Sequence, residues 1–63
     1  MVLSMDTRKN LEAALEQELN SVSDYSQLAN QVTDQTLRAV LISIMGDKYG
    51  HARTLAALLI NGS

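Results

Sequence analysis

Apolar and small residues recur along the first half of the chain at alternating steps of four and three. This spacing places them on one face of an α-helix. Only one member of this first seam is charged, and the seam consists of Leu11, Leu15, Glu18, Val22, Tyr25, Ala29 and Val32. The pattern predicts a helix over about residues 6–32, which either Ser4 or Asp6 can cap at its N-terminus.

The second half of the chain carries two such seams side by side. The first contains Leu37, Leu41, Ile44, Lys48, His51, Leu55 and Leu58, and the second contains Ile42, Met45, Tyr49, Ala52, Ala56 and Leu59. Together they predict a helix over about residues 35–60. Asp34 is a suitable N-cap for this helix, and Gly62 is expected to supply the left-handed residue that commonly ends one.

Residues 33–36 form the only break between the two helices, so the chain is expected to fold back as an antiparallel hairpin. In this register Glu18 lies level with His51, and Lys48 lies one helical turn away. Burying an unpaired charge is costly. The three polar side chains are therefore expected to meet one another, a metal ion or a second copy of the chain.

The second helix has more apolar surface than the first helix can cover. One of its seams can pack on the first helix, but the other would remain in water, and a hairpin of this size rarely stabilises itself. We therefore expect an all-α hairpin that dimerises, with the second seams meeting, into a four-helix bundle. A different chain could also complete the bundle.

Composition narrows the functional classes. The 63 residues allow one domain, and the absence of cysteine excludes disulfides and thiolate ligands. A net charge of −2 with five scattered basic residues argues against nucleic acid as a partner. There is no apolar run of roughly 20 residues and no pattern typical of a signal peptide. We therefore expect a cytoplasmic protein that does not bind membranes.

Gly46 and Gly50 lie in the middle of the second predicted helix, where each costs about 1 kcal/mol relative to alanine. They could allow a close helix crossing or make room for a ligand, or they could simply be tolerated on the surface. One histidine and several serines do not make a nucleophilic triad. Whether the chain is an enzyme stays open at this point.

The carboxylate of Glu18 and the imidazole of His51 are ligand types that iron and manganese accept inside helical bundles. In such sites one helix offers a glutamate, and the next offers a glutamate and a histidine three residues apart. A dimer of this chain would supply two copies of Glu18 and two of His51.

At residues 11–59 the chain resembles the rubrerythrin-like branch of the ferritin-like superfamily. The resemblance rests on Glu18-Leu19, Tyr25, Leu28-Ala29, an Asp34-centred turn, Leu37, Leu41 and the stretch Asp47-Lys48-Tyr49-Gly50-His51-Ala52. It implies a di-iron carboxylate bundle, in a family whose members oxidise ferrous iron, reduce peroxide or store iron. Glu18 and His51 would then be metal ligands, and Tyr25 matches a tyrosine often found near the site.

The chain departs from this family pattern at Lys48, where the family has the glutamate that precedes the histidine by three residues. A protonated lysine cannot replace a carboxylate ligand. Asp47 could serve as a displaced ligand, since a spacing of four also keeps it on the same side of the helix as His51. The alternative is a metal-free structural or interaction dimer, in which a Glu18–Lys48 ion pair replaces the metal site.

Overall fold

The computed structural model describes residues 2–62, which form two long helices. Helix α1 spans Met5–Gln31 and helix α2 spans Gln35–Asn61, with 27 residues in each. They pack antiparallel as a hairpin about 46 Å long. The predicted all-α hairpin is thus confirmed for these residues, with helix ends within a residue or so of those expected. Within residues 2–62 neither helix combines the length and apolar content needed to cross a membrane.

Both helices begin at capping residues that the sequence identifies. The Ser4 side chain accepts a hydrogen bond from the Thr7 amide at 3.1 Å, so Ser4 rather than Asp6 is the cap of α1. The Asp34 carboxylate accepts from the Leu37 amide at 2.8 Å. Each cap satisfies an amide of the first turn that has no partner within the helix.

Gly62 ends α2, but the prediction that it adopts a left-handed conformation is wrong. Its φ of −86° and ψ of 0° are right-handed, and its amide donates to the Leu58 carbonyl at 2.9 Å. The glycine is instead needed for close approach, because a Cβ atom there would overlap the side chain of Leu3. The Leu3 amide donates to the Gly62 carbonyl at 3.2 Å, which joins the N-terminal and C-terminal segments at the open end of the hairpin.

The first seam faces α2 as predicted. Ala29 is only 4% exposed, and every other member of the seam is half-buried. The spacing of apolar residues in α1 therefore identifies its contact face correctly, because this helix has one apolar stripe and a polar remainder.

Helix α2 presents a different face from the one that the sequence predicts. Its contact line is centred on Ala52, which is 3% exposed, and it takes half-buried residues from both seams: Leu41, Ile44, Met45, Lys48, Leu55, Ala56 and Leu59. Leu37, His51 and Leu58 of the first seam are exposed. A short alanine side chain on the contact line lets the helices approach closely, while longer side chains pack at its edges.

This rotation also turns part of the predicted dimer surface toward α1. Met45, Ala52, Ala56 and Leu59 of the second seam are buried or half-buried within the single hairpin. The meeting of the second seams of two copies remains a prediction. Only Ile42 and Tyr49 of that seam remain exposed.

Candidate functional site

The polar residues of the two contact lines meet at the midpoint of the hairpin. Helix α1 has 27 residues, so 13 precede Glu18 and 13 follow it; the same holds for Lys48 in α2. Because the helices are antiparallel and of equal length, these two central positions face each other. We call Glu18, Lys48 and His51 the central cluster.

Glu18 is the acceptor that holds the central cluster together, and each of its carboxylate oxygens has one partner. Oε1 lies 3.7 Å from Lys48 Nζ. Oε2 lies 3.1 Å from His51 Nδ1, which donates to it when that nitrogen carries a proton. The three residues meet, but in a register one helical turn from the predicted one: Glu18 lies level with Lys48, and His51 lies one turn away.

The three side chains of the central cluster differ in how much of each is exposed to solvent. The side chains of Glu18, Lys48 and His51 are 21%, 32% and 64% exposed, respectively. His51, which the sequence places in the seam that faces α1, is exposed in the single hairpin. His51 precedes Ala52 by one residue, which turns it about 100° away from the centre of the contact line. It therefore reaches Glu18 from the rim.

These exposures limit what the ion pair contributes to the stability of one hairpin. Partly hydrated ion pairs typically contribute about 0–1 kcal/mol. The geometry is better suited to fixing the register of the helices, since sliding α2 by one turn would move Lys48 by about 5.4 Å from its position opposite Glu18. Complete removal from water would strengthen both contacts.

The other predicted site residues lie apart from these contacts. Asp47 is exposed, and among residues 2–62 it joins neither of the two contacts that Glu18 makes. It is displaced from Lys48 by about 100° around α2. Tyr25 lies half-buried on the contact line of α1, two turns beyond Glu18.

The donor set of one chain does not fit an iron site. Glu18 and His51 supply two ligand groups, and residues 2–62 contain no group of three or more histidine, aspartate, glutamate or cysteine side chains placed to share a metal. Bundle di-iron sites use a glutamate from each of two helices and a Glu-x-x-His pair from each of the others. Here the Lys48 ammonium stands beside an oxygen that would otherwise bind metal. The metal-binding roles of Glu18, His51 and Asp47 remain predictions.

The two central glycines of α2 do not serve packing within the hairpin. A Cβ atom at Gly46 or at Gly50 would meet nothing within 4 Å. An open depression of about 300 Å³ adjoins Gly50 and is lined by Gly50, Arg53 and Thr54. It lies on the side of α2 opposite Ala52, away from the central cluster.

Sequence reasoning missed the exposed apolar residues that flank the contact line. Leu28 on α1 and Val40 on α2 are large and about half exposed, yet neither belongs to a predicted seam. The sequence does contain a pattern that could have identified them. Leu28 follows Ala14 and Ser21 at steps of seven, and Val40 precedes Ile44 by four, so each shares a helix face with those residues.

Comparisons with protein-family models, curated proteins and solved structures give no match.

Proposed function

We propose that the protein is a self-associating helical module, in which two hairpins form a four-helix bundle with a ferritin-like arrangement and a metal-free polar centre. The observation that carries this proposal is the ion pair of Lys48 Nζ with Glu18 Oε1 at 3.7 Å. In this bundle Lys48 supplies the positive charge that a metal ion would otherwise supply.

The small core of the single hairpin favours association. Ala29 and Ala52 are its only buried hydrophobic residues among those described. Two alanines bury little apolar surface, and chains of about this length usually need a staple, a metal or a partner to fold stably. Cysteine is absent, so a disulfide cannot fill this role.

The chemistry of Lys48 favours a structural centre over a catalytic one. A fixed ammonium beside Glu18 neutralises the carboxylate and lowers the cost of removing it from water. Such a pair specifies which helices meet and at what register, because a shifted alternative leaves a charge unpaired. The module would then act by bringing two copies, and whatever they carry, together.

Self-association is tested by the solution mass of the purified chain over a wide range of concentrations. We expect a mass of twice 6.9 kDa that falls to one chain on dilution. A chain that stays monomeric and fully helical at every concentration would contradict the proposal.

The metal-free centre is tested by elemental analysis of protein from cells grown with added iron and manganese. The wild type should contain no stoichiometric metal. Lys48→Glu should acquire metal, or should lower the melting temperature of the metal-free protein by gathering unpaired carboxylates. Lys48→Met is the control, because it removes the charge without adding a ligand. If Lys48→Glu changes neither metal content nor stability, Lys48 does not face the interior of the bundle.

A second candidate function is a transition-metal site, with iron as the proposed metal, that two copies form together. The contact between Glu18 Oε2 and His51 Nδ1 at 3.1 Å favours it, since a carboxylate and an imidazole already meet. Two chains would supply two of each, with Asp47 as a further carboxylate. Bound iron would supply redox chemistry such as ferrous-iron oxidation or peroxide reduction.

The two candidates differ in one measurement. A metal ion that copurifies with the wild type and is lost in His51→Ala would support the metal site and overturn the metal-free centre. Arg53→Ala is a matched control, because Arg53 is an exposed basic residue on the same helix that makes no contact with Glu18.

A further inference from the structure

Two surfaces flank the line along which α1 and α2 touch. Residues seven apart share a helix face, and on antiparallel helices the same direction of rotation from the contact line leads to the same side. The side on which His51 lies, which we call the histidine-side surface, carries Ala14, Ser21, Leu28, Leu37, Val40, Ile44, His51 and Leu58. The opposite side, the arginine-side surface, carries Arg8, Glu12, Leu19, Ile42, Tyr49, Arg53 and Ile60.

Both surfaces expose large apolar side chains, but they differ in charge. On the histidine-side surface the small and apolar residues are interrupted by Asn10, Gln17 and His51, and none of these three carries a fixed charge. On the arginine-side surface Arg8, Glu12 and Arg53 are interspersed with the apolar residues. The centres of protein interfaces are depleted of charged residues. This difference favours the histidine-side surface as the one that is covered.

The position of the central cluster suits a second copy of this chain as the partner that covers it. Glu18 and Lys48 are the middle residues of two helices of equal length. When two hairpins overlap over their full length, their midpoints coincide, whether they run in the same direction or in opposite directions. A second copy of this chain therefore brings its own central cluster to the level of the first.

We propose that the histidine-side surface is where a second copy docks, face to face, so that each copy covers the central cluster of the other. The inference rests on the self-association proposed above and specifies which surface carries it. His51, which is 64% exposed in one hairpin, then lies between the two copies. The polar centre is complete only in the pair.

Charge and size are compatible with this pairing. Each central cluster contains one carboxylate and one ammonium already in contact, so bringing two together adds no net charge when His51 is neutral. The flat side of the hairpin extends 46 by 14 Å between Cα atoms, so full overlap gives each copy a contact face of several hundred Å², on the order of the size of specific interfaces.

Two β-branched residues of α2 provide a matched test. Val40 on the histidine-side surface is 51% exposed, and Ile42 on the arginine-side surface is 45% exposed. Both are in the second turn of the helix and about half exposed, so a charge at either is expected to have a similar effect on the hairpin itself. Val40→Glu should raise the dissociation constant of the pair on the order of 100-fold or more, because it buries an unpaired carboxylate. Ile42→Glu should leave the constant within about threefold of that of the wild type.

Sedimentation equilibrium of the three proteins decides between the surfaces. Dissociation of Ile42→Glu, with Val40→Glu still paired, would overturn this inference while leaving the proposed self-association intact. A wild type that never pairs would overturn both. Circular dichroism on the same samples shows whether Val40→Glu remains helical when it dissociates.

Single cysteines give a second readout that does not require a destabilising change, since the natural chain has no cysteine. Ser21→Cys lies on the histidine-side surface and Leu19→Cys on the arginine-side surface, both within one turn of Glu18. A short bis-maleimide should link Ser21→Cys chains into covalent dimers and leave Leu19→Cys chains single. The reverse result would contradict the proposed docking surface.

Discussion

The small residues of α2 lie in two different environments. Ala52 lies on the contact line, 3% exposed, where a short side chain allows close packing. Gly46 and Gly50 lie on the opposite side, where an added Cβ atom would meet nothing within 4 Å. Within one hairpin, glycine therefore gives no better packing than alanine would at these two positions. A side chain larger than alanine at position 52 would instead be destabilising.

Replacing either central glycine of α2 by alanine is expected to stabilise the protein. Gly46→Ala and Gly50→Ala should each raise the free energy of unfolding by about 0.5–1 kcal/mol, because alanine restricts the unfolded chain and favours the helix. Urea unfolding followed by circular dichroism measures this. Gly62→Ala is the contrasting control: it should give no gain, since its Cβ atom would displace Leu3. Destabilisation by either central glycine variant would show that the backbone there is closely approached by another chain.

A larger side chain on the contact line of α2 is expected to destabilise the protein. Ala52→Leu should lower the free energy of unfolding by about 1–3 kcal/mol, because the larger side chain forces the helices apart. Ala57→Leu is the matched control, since Ala57 is an exposed alanine of the same helix. Equal effects of the two substitutions on thermal unfolding would contradict the observed orientation of α2.

At the scale of the helices, the caps and the apolar seams determine different features of the structure. Each N-terminus is fixed by a side chain three residues before the amide it caps, namely Ser4 and Asp34. These local bonds define where α1 and α2 begin, and the short link between them forces the antiparallel arrangement. The rotation of α2 about its own axis depends instead on packing.

The cap of α2 predicts a local destabilisation. Asp34→Ala should lower the free energy of unfolding by about 1 kcal/mol, because the Leu37 amide loses its acceptor. Asp34→Asn should retain most of that stability, since an amide oxygen can also accept the bond. Chemical unfolding of the two variants in parallel checks this, and an equal loss in both would point to the charge rather than the hydrogen bond.

The whole molecule is a thin hairpin, 46 by 14 by 10 Å, with a charged pair at its middle. One layer of two helices cannot surround that pair with protein. Pairing through the histidine-side surface would add the second layer that a helical domain requires. Folding and association are then linked by mass action.

This linkage predicts a melting temperature that depends on concentration. The melting temperature of the wild type should fall on dilution, because a pair that dissociates on unfolding gains stability from protein concentration. Differential scanning calorimetry over a hundredfold range of concentration measures the slope. Val40→Glu should show little or no slope and Ile42→Glu a slope like that of the wild type. A wild-type melting temperature independent of concentration would contradict obligate pairing.

The sequence by itself determined the two helices, the cap at Asp34, the turn and the meeting of Glu18 with Lys48 and His51. These follow from local capping chemistry and from the short link of an antiparallel hairpin, although the register differs by one helical turn from the predicted one. It did not determine which face of α2 packs on α1, because two apolar seams lie side by side there and each has a plausible pattern. Only the tertiary structure decided this. Close packing places the small Ala52 on the contact line, which leaves His51 at the rim and Val40 on an open surface.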